Sequence, residues 1–181
     1  MVVSQGLVRA SRIMAWLSAA AVIIVPAGTV LIFLFPDQTR ILGMHESLNH
    51  YGDLLSSGVP LSNRLFALAF ALIPAGIATW GLIALTRLLL LFARGEVFTP
   101  HSLRALSRIT AALFWNVLSA FATEAPISYF LTRANPSGHR FMELTLGSDD
   151  ANILFLAGVA FVVARVMAEA RRMADEHASF I

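Results

Sequence analysis

The sequence has no cysteine, and its thirteen basic residues are all arginine, with no lysine among them. The first absence excludes disulfides, thiolate metal sites, iron–sulfur clusters and thiol nucleophiles. The second excludes a lysine Schiff base and the phosphate-binding lysine of a Walker-type loop. Charge is scarce as well: 13% of residues are Asp, Glu, Lys or Arg, and the net charge is +2. That balance is too small to point to nucleic acid. What is present is apolar, 57% of the chain with a mean hydropathy of +0.74. A soluble domain of 181 residues does not need so much apolar surface, so the medium it implies is lipid.

Four apolar runs supply the candidate membrane spans, at residues 13–35, 65–86, 109–131 and 151–168. The first has 23 positions. At helical rise these reach roughly 34 Å, enough to cross a hydrocarbon core of about 30 Å. A signal peptide would have a shorter apolar region and a small-residue cleavage site, whereas Pro36 and Asp37 follow here. Pro26 and Pro74 read as kinks within spans, and Gly76 and Gly81 as places where another helix approaches closely.

The connections carry the polar residues. Residues 36–64 form a loop in which Ile41, Met44, Leu48, Tyr51 and Leu55 share one helical stripe, predicting a short surface helix. Residues 132–150 form a second loop with the turn signal Asn135-Pro136-Ser137-Gly138, and Gly147 to Asp150 reads as a turn and helix cap. Between the two apolar halves lies a crossover at 87–108. In it Gly95 offers a helix stop and Thr99-Pro100 a start, with threonine as the N-cap and proline first in the helix. A tail at 169–181 continues the last helix, with Arg165–Glu169 and Arg172–Glu176 spaced for ion pairs.

Arginine asymmetry sets the expected orientation. Arg9, Arg12, Arg87, Arg94, Arg104, Arg108, Arg165, Arg171 and Arg172 fall on one side, and Arg40, Arg64, Arg133 and Arg140 on the other. The positive-inside rule places both termini and the crossover in the cytoplasm. The expected fold is therefore all-α: an integral membrane four-helix bundle of four transmembrane helices, a single domain over 1–181, with an outer-face surface helix. The expected setting is the inner membrane of a bacterium. Arg87/Arg94 and Arg165/Arg172, each pair seven apart, are what a duplicated hairpin would leave, as is Ser-Arg-Ile before spans one and three. These matches are short and use residues common at such helix ends.

Chemistry-bearing residues are few. Glu124 lies deep in the third span, and Asn116, Ser119 and Thr123 recur near its helical face. An ionisable residue at membrane depth is costly and points to function, so the four define a candidate polar seam. A proton or cation path needs a second titratable group, which no other span supplies. The plainer reading puts Glu124 near the outer interface, beside Arg64 or Arg133, and makes Asn116 an interhelical hydrogen bond. All five histidines lie outside the spans, which excludes axial ligands for a buried haem. His45 and His50 are five apart, a poor step for one metal face. No cofactor and no metal are expected.

The segment LLLLFARGEVFTPHSLRALSRI and the ending ARVMAEARRMADEHASFI carry a resemblance. An apolar helix end, a Gly-x-x-Phe-[Ser/Thr] turn and a Leu-Arg-rich restart, carried by Gly95, Phe98, Thr99 and Leu103, resemble the bacterial membrane-protein family catalogued as domain of unknown function 2975. The basic-then-acidic helix through Glu169 to Glu176 resembles that family's ending, and His177 to Ile181 departs from its usual Leu-Thr-[Ile/Val] signature. The resemblance implies four spans and no established activity. Some members are described as encoded beside small helix-turn-helix regulators, which implies a signalling setting and transfers no residue.

Without a catalytic constellation, the functional expectation is a non-enzymatic accessory, sensor or regulatory subunit acting through contacts at its cytoplasmic face. That face comprises Arg87, Arg94, Arg104, Arg108, Arg165 and Arg172. Expected partners are anionic lipid headgroups and a protein or second copy of the chain, not nucleic acid. The alternative is an oligomeric small transporter or channel subunit using the seam from Asn116 to Glu124.

Overall fold

The computed structural model describes residues 5–41, 55, 58–96, 99–133, 142, 144 and 148–178. The described chain is helical: α1 (Gln5–Leu34), α2 (Pro36–Ile41), α3 (Leu61–Ala93), α4 (Pro100–Thr132) and α5 (Ser148–Ala178). α1, α3, α4 and α5 are long and apolar enough to cross a membrane, so the protein is a multi-pass membrane protein. Its large apolar side chains face outward in number; Trp16, Ile23, Phe155 and Val162 are all mostly exposed, as lipid-facing residues are. Apart from Ile41 and Leu55, the predicted surface-helix stripe lies outside the described residues. Ile41 ends the six-residue helix α2.

Lipid leaves no water to satisfy polar groups, and the spans meet that demand internally. Pro26, Pro74 and Pro126 each sit inside a long helix. Threonines bond back one turn: Thr29 to the Val25 carbonyl (3.0 Å), Thr79 to Ala75 (2.7 Å) and Thr132 to Ser128 (2.8 Å).

The long helices pack as antiparallel neighbours in chain order. Ser18 of α1 donates to the Leu82 carbonyl of α3 at 3.2 Å, and the Thr86 hydroxyl lies 3.0 Å from Ser18 Oγ. α3 meets α4 most closely at Gly81, where an added Cβ would stand 2.8 Å from the Ala112 Cβ. At the opposite end Ile32 and Phe33 of α1, Ala67 and Leu68 of α3, and Ile127 and Leu131 of α4 form the main core. Leu55 and Val59, from the connection between α2 and α3, seal it. Beside it the Phe66, Phe70 and Phe130 rings stack, with centroids 5.2 and 5.9 Å apart.

The fourth span is attached differently. α5 packs chiefly on α4, and among the described residues it gives nothing to the Phe33 core. Three helices thus share a core and the fourth lies against one of them. Glu169 of α5 pairs with Arg172 at 2.7 Å rather than with Arg165, which sits 5.5 Å from the Phe161 ring centroid. The helix starts at Ser148, so Asp150 falls within its first turn, where the helix dipole favours a carboxylate.

Candidate functional site

Antiparallel packing brings the last turns of α3 against the first turns of α4. Ala84, Arg87, Leu91 and Arg94 recur at three- and four-residue steps and so share one face of α3. His101, Arg104, Ala105 and Arg108 do the same on α4. The two faces enclose an open cleft of about 340 Å³, with Leu90 completing its wall. Ala84 and Ala105 are buried; their small side chains let the backbones approach and leave room above. Arg87, Arg94, Arg104 and Arg108 stand exposed around the cleft, and among the described residues no carboxylate lines it. Arg104 Nε donates to the Pro100 carbonyl at 3.2 Å, which draws that side chain back along its own helix.

The turn between the helices is held at both ends. Gly95 has a φ of +81°, the left-handed region that glycine adopts freely. Its N–H bonds the Phe92 carbonyl, and the Glu96 N–H bonds the Leu91 carbonyl, each at 3.0 Å. These two bonds make a Schellman close that satisfies carbonyls the helix end would leave open. Across the turn, Ser102 N donates to Thr99 Oγ1 at 3.2 Å and Thr99 N donates to Ser102 Oγ at 3.0 Å. This reciprocal capping box fixes the start of α4, with Pro100 in its first turn. A stop at Gly95 and an N-cap at Thr99, four residues apart, therefore fix the two helix ends that carry the four arginines.

The structure divides the predicted arginine face. Arg87, Arg94, Arg104 and Arg108 share the cleft, but Arg165 and Arg172 do not line it. Arg165 lines a separate groove of about 770 Å³ between α4 and α5, with Phe114, Trp115 and Phe161. The arginine pairs at the ends of α3 and α5 thus match in spacing and differ in surroundings. His101, which the sequence reading did not single out, belongs to the cleft; its three- and seven-residue distances to Arg104 and Arg108 were the available signal.

The predicted polar seam is divided too. Asn116 and Thr123 line a cavity of about 250 Å³ between α1, α3 and α4, whereas Ser119 and Glu124 are not among its lining residues. Asn116 Nδ2 donates to the Pro74 carbonyl of α3 at 2.9 Å. Thr123 donates to the Ser119 carbonyl (2.8 Å) and Ser119 to the Asn116 carbonyl (2.9 Å). Glu124 is half-buried and already engaged in a contact of its own. At that end of the protein Arg64 is half-buried and Arg133 exposed. The Asn116 amide therefore joins two helices at the proline kink. Asn116→Ala is expected to destabilise the protein by about 0.6–1.7 kcal/mol, the range for hydrogen bonds between membrane helices. Thermal unfolding in detergent checks this, and an unchanged midpoint would show the bond contributes nothing.

Among the described residues, no three His, Asp or Glu side chains gather as metal ligands would; His45 and His50 lie outside the described residues. The family model described as protein of unknown function (DUF2975) matches residues 44–181. No curated protein and no solved structure matches the chain.

Proposed function

Because the chain belongs to the DUF2975 family, whose description supplies no activity, we propose a function from its surface: a non-enzymatic accessory, sensor or regulatory subunit. It acts through protein or lipid contacts at its arginine-rich end. The observation that carries this reading is that Arg87, Arg94, Arg104 and Arg108 line one cleft in which, among the described residues, no carboxylate takes part. Arginine asymmetry supports a cytoplasmic position for that end and for both termini, in a bacterial inner membrane.

The absence of native cysteine makes the test clean. His101→Cys places a single thiol on the cleft. A membrane-impermeant maleimide is expected to label it in inverted vesicles but not in intact cells. A photo-crosslinker attached there is expected to give a discrete adduct that disappears when Arg94 and Arg104 are both glutamine. Labelling in intact cells would invert the orientation. An adduct pattern indifferent to the two arginines would remove the contact reading.

The alternative, an oligomeric transporter or channel subunit, has one support, the cavity that Asn116 and Thr123 line. Both side chains direct their donors to backbone carbonyls, so the geometry favours the contact reading.

A further inference from the structure

The cleft between α3 and α4 has a chemistry narrower than general attraction to an acidic surface. An ordinary basic face spreads its charges over convex ground, where each arginine meets its own counterion. Here four arginines, two from each helix, line one concavity whose wall is mostly apolar. Among the described residues none of the four has an ion-pair partner, whereas Arg172 at the same end of the protein is paired with Glu169. The cleft's volume of about 340 Å³ falls at the small end of the range for small-molecule sites, about 300–1,000 Å³. The start of α4 adds the positive end of a helix dipole on the same side.

The group best suited to several neighbouring arginine forks is one with several acceptor oxygens around a single centre. A carboxylate offers two oxygens in one plane and is met by one or two arginines. A phosphate offers oxygens in several directions and can be shared among more. The depth of the cleft adds to this. Arg87 and Arg94 bracket the apolar run from Leu88 to Phe92, and Leu90 and Leu91 form part of the wall. The cleft therefore lies at the adjoining ends of two helices long and apolar enough to cross a membrane, beside their apolar side chains.

We propose that the cleft between the end of α3 and the start of α4 is a phosphate-binding site formed by Arg87, Arg94, Arg104 and Arg108. It takes the headgroup phosphate of an anionic lipid or a small soluble phosphate compound. This deepens the contact reading and rests on it, because the cleft is the part of the arginine-rich end with a defined shape.

The test uses the full chain in uncharged detergent. Native mass spectrometry measures binding of phosphatidic acid, phosphatidylglycerol and phosphatidylcholine, and calorimetry measures binding of inorganic pyrophosphate. Saturable one-to-one binding of an anionic lipid alone identifies a lipid source. Binding of pyrophosphate that competes with the lipid identifies a site open to soluble phosphates. In either case R94Q/R104Q is expected to weaken binding by about tenfold or more, since a charge-assisted hydrogen bond is worth at least that factor. R9Q/R12Q removes the same charge from α1, outside the cleft, and is expected to leave affinity within about twofold, a small fraction of that tenfold step. R87Q/R108Q serves as an independent pair if helicity shows that R94Q/R104Q is not folded. Failure to bind any of the anionic probes at millimolar concentration would overturn the site, as would equal losses in R9Q/R12Q. If binding fails while the arginine-dependent adduct at position 101 persists, the contact reading stands and the phosphate site does not. If binding succeeds and that adduct is indifferent to the arginines, the phosphate site stands and the protein-contact part of the reading does not.

Discussion

Replacing Phe33 with alanine is expected to destabilise the protein by about 3 kcal/mol, the lower end of the range for truncating a buried aromatic. Phe33 is 1% exposed and lies among Ile32, Leu55, Ala67, Leu68, Ile127 and Leu131, so its truncation leaves a gap inside the packed core. The lower end applies because hydrocarbon replaces water around much of this protein. Truncation then forfeits little transfer free energy, and the loss is mainly of dispersion contacts around an unfilled volume. Phe155→Ala is the comparison: that ring on α5 is 75% exposed, and its loss is expected to change stability by less than about 0.5 kcal/mol. Thermal unfolding of both variants in the same detergent decides the matter. Equal shifts would mean that Phe33 is not held in a packed core.

The second large effect concerns Gly81. A Cβ there would lie 2.8 Å from the Cβ of Ala112, and that atom is fixed to the α4 backbone and cannot rotate aside. Gly81→Val must therefore push α3 and α4 apart, at about 1–3 kcal/mol for overpacking. Separating the helices would also lengthen the hydrogen bond from Asn116 to the Pro74 carbonyl, so the upper end of that range is expected. Ala112→Gly should recover much of the loss in a Gly81→Ala background, a coupling that a double-mutant cycle measures directly. Gly28 and Gly76 have nothing within 4 Å of an added Cβ. Alanine at either is expected to be neutral or stabilising, by up to about 1 kcal/mol of helix propensity. Equal destabilisation at Gly76 and Gly81 would show that the contact with Ala112 is not what matters.

These two sites mark the boundary of what the sequence could tell. The spans were legible because a long apolar run with so few charges has little use outside a bilayer. The turn from Gly95 to Pro100 was legible because stops and caps act within a few residues of their own sequence. The close approach of Gly81 to Ala112 was only half legible: Gly76 and Gly81 both suggested a contact, Gly81 alone of the two makes one, and nothing in the sequence named its partner. In lipid both the buried and the exposed face of a helix are apolar, so the periodic contrast that orients a helix in water is weak. For the same reason the sequence could not show that Asn116 reaches Pro74, that Ser18 reaches Leu82, or that α5 contributes nothing described to the Phe33 core. Ion-pair choice was also hidden. Four-residue spacing favoured Arg165 for Glu169, but side-chain geometry gave the carboxylate to Arg172. The arginine cleft was partly visible as a set of residues; its division from Arg165 and Arg172 required the helices to be placed.

The way α5 is attached bears on how the protein is made. Every described member of the Phe33 core precedes residue 132 in the chain, and so do both residues of the Gly81–Ala112 contact. Because chains are synthesised from the N-terminus and fold as they emerge, the first three spans have all they need to dock while the fourth is still unmade. α5 then arrives at a finished wall, the side of α4 bearing Phe114 and Trp115, and leaves between them the groove of about 770 Å³. The packing thus allows a three-helix unit to dock before α5 is made, with the single helix added to its side.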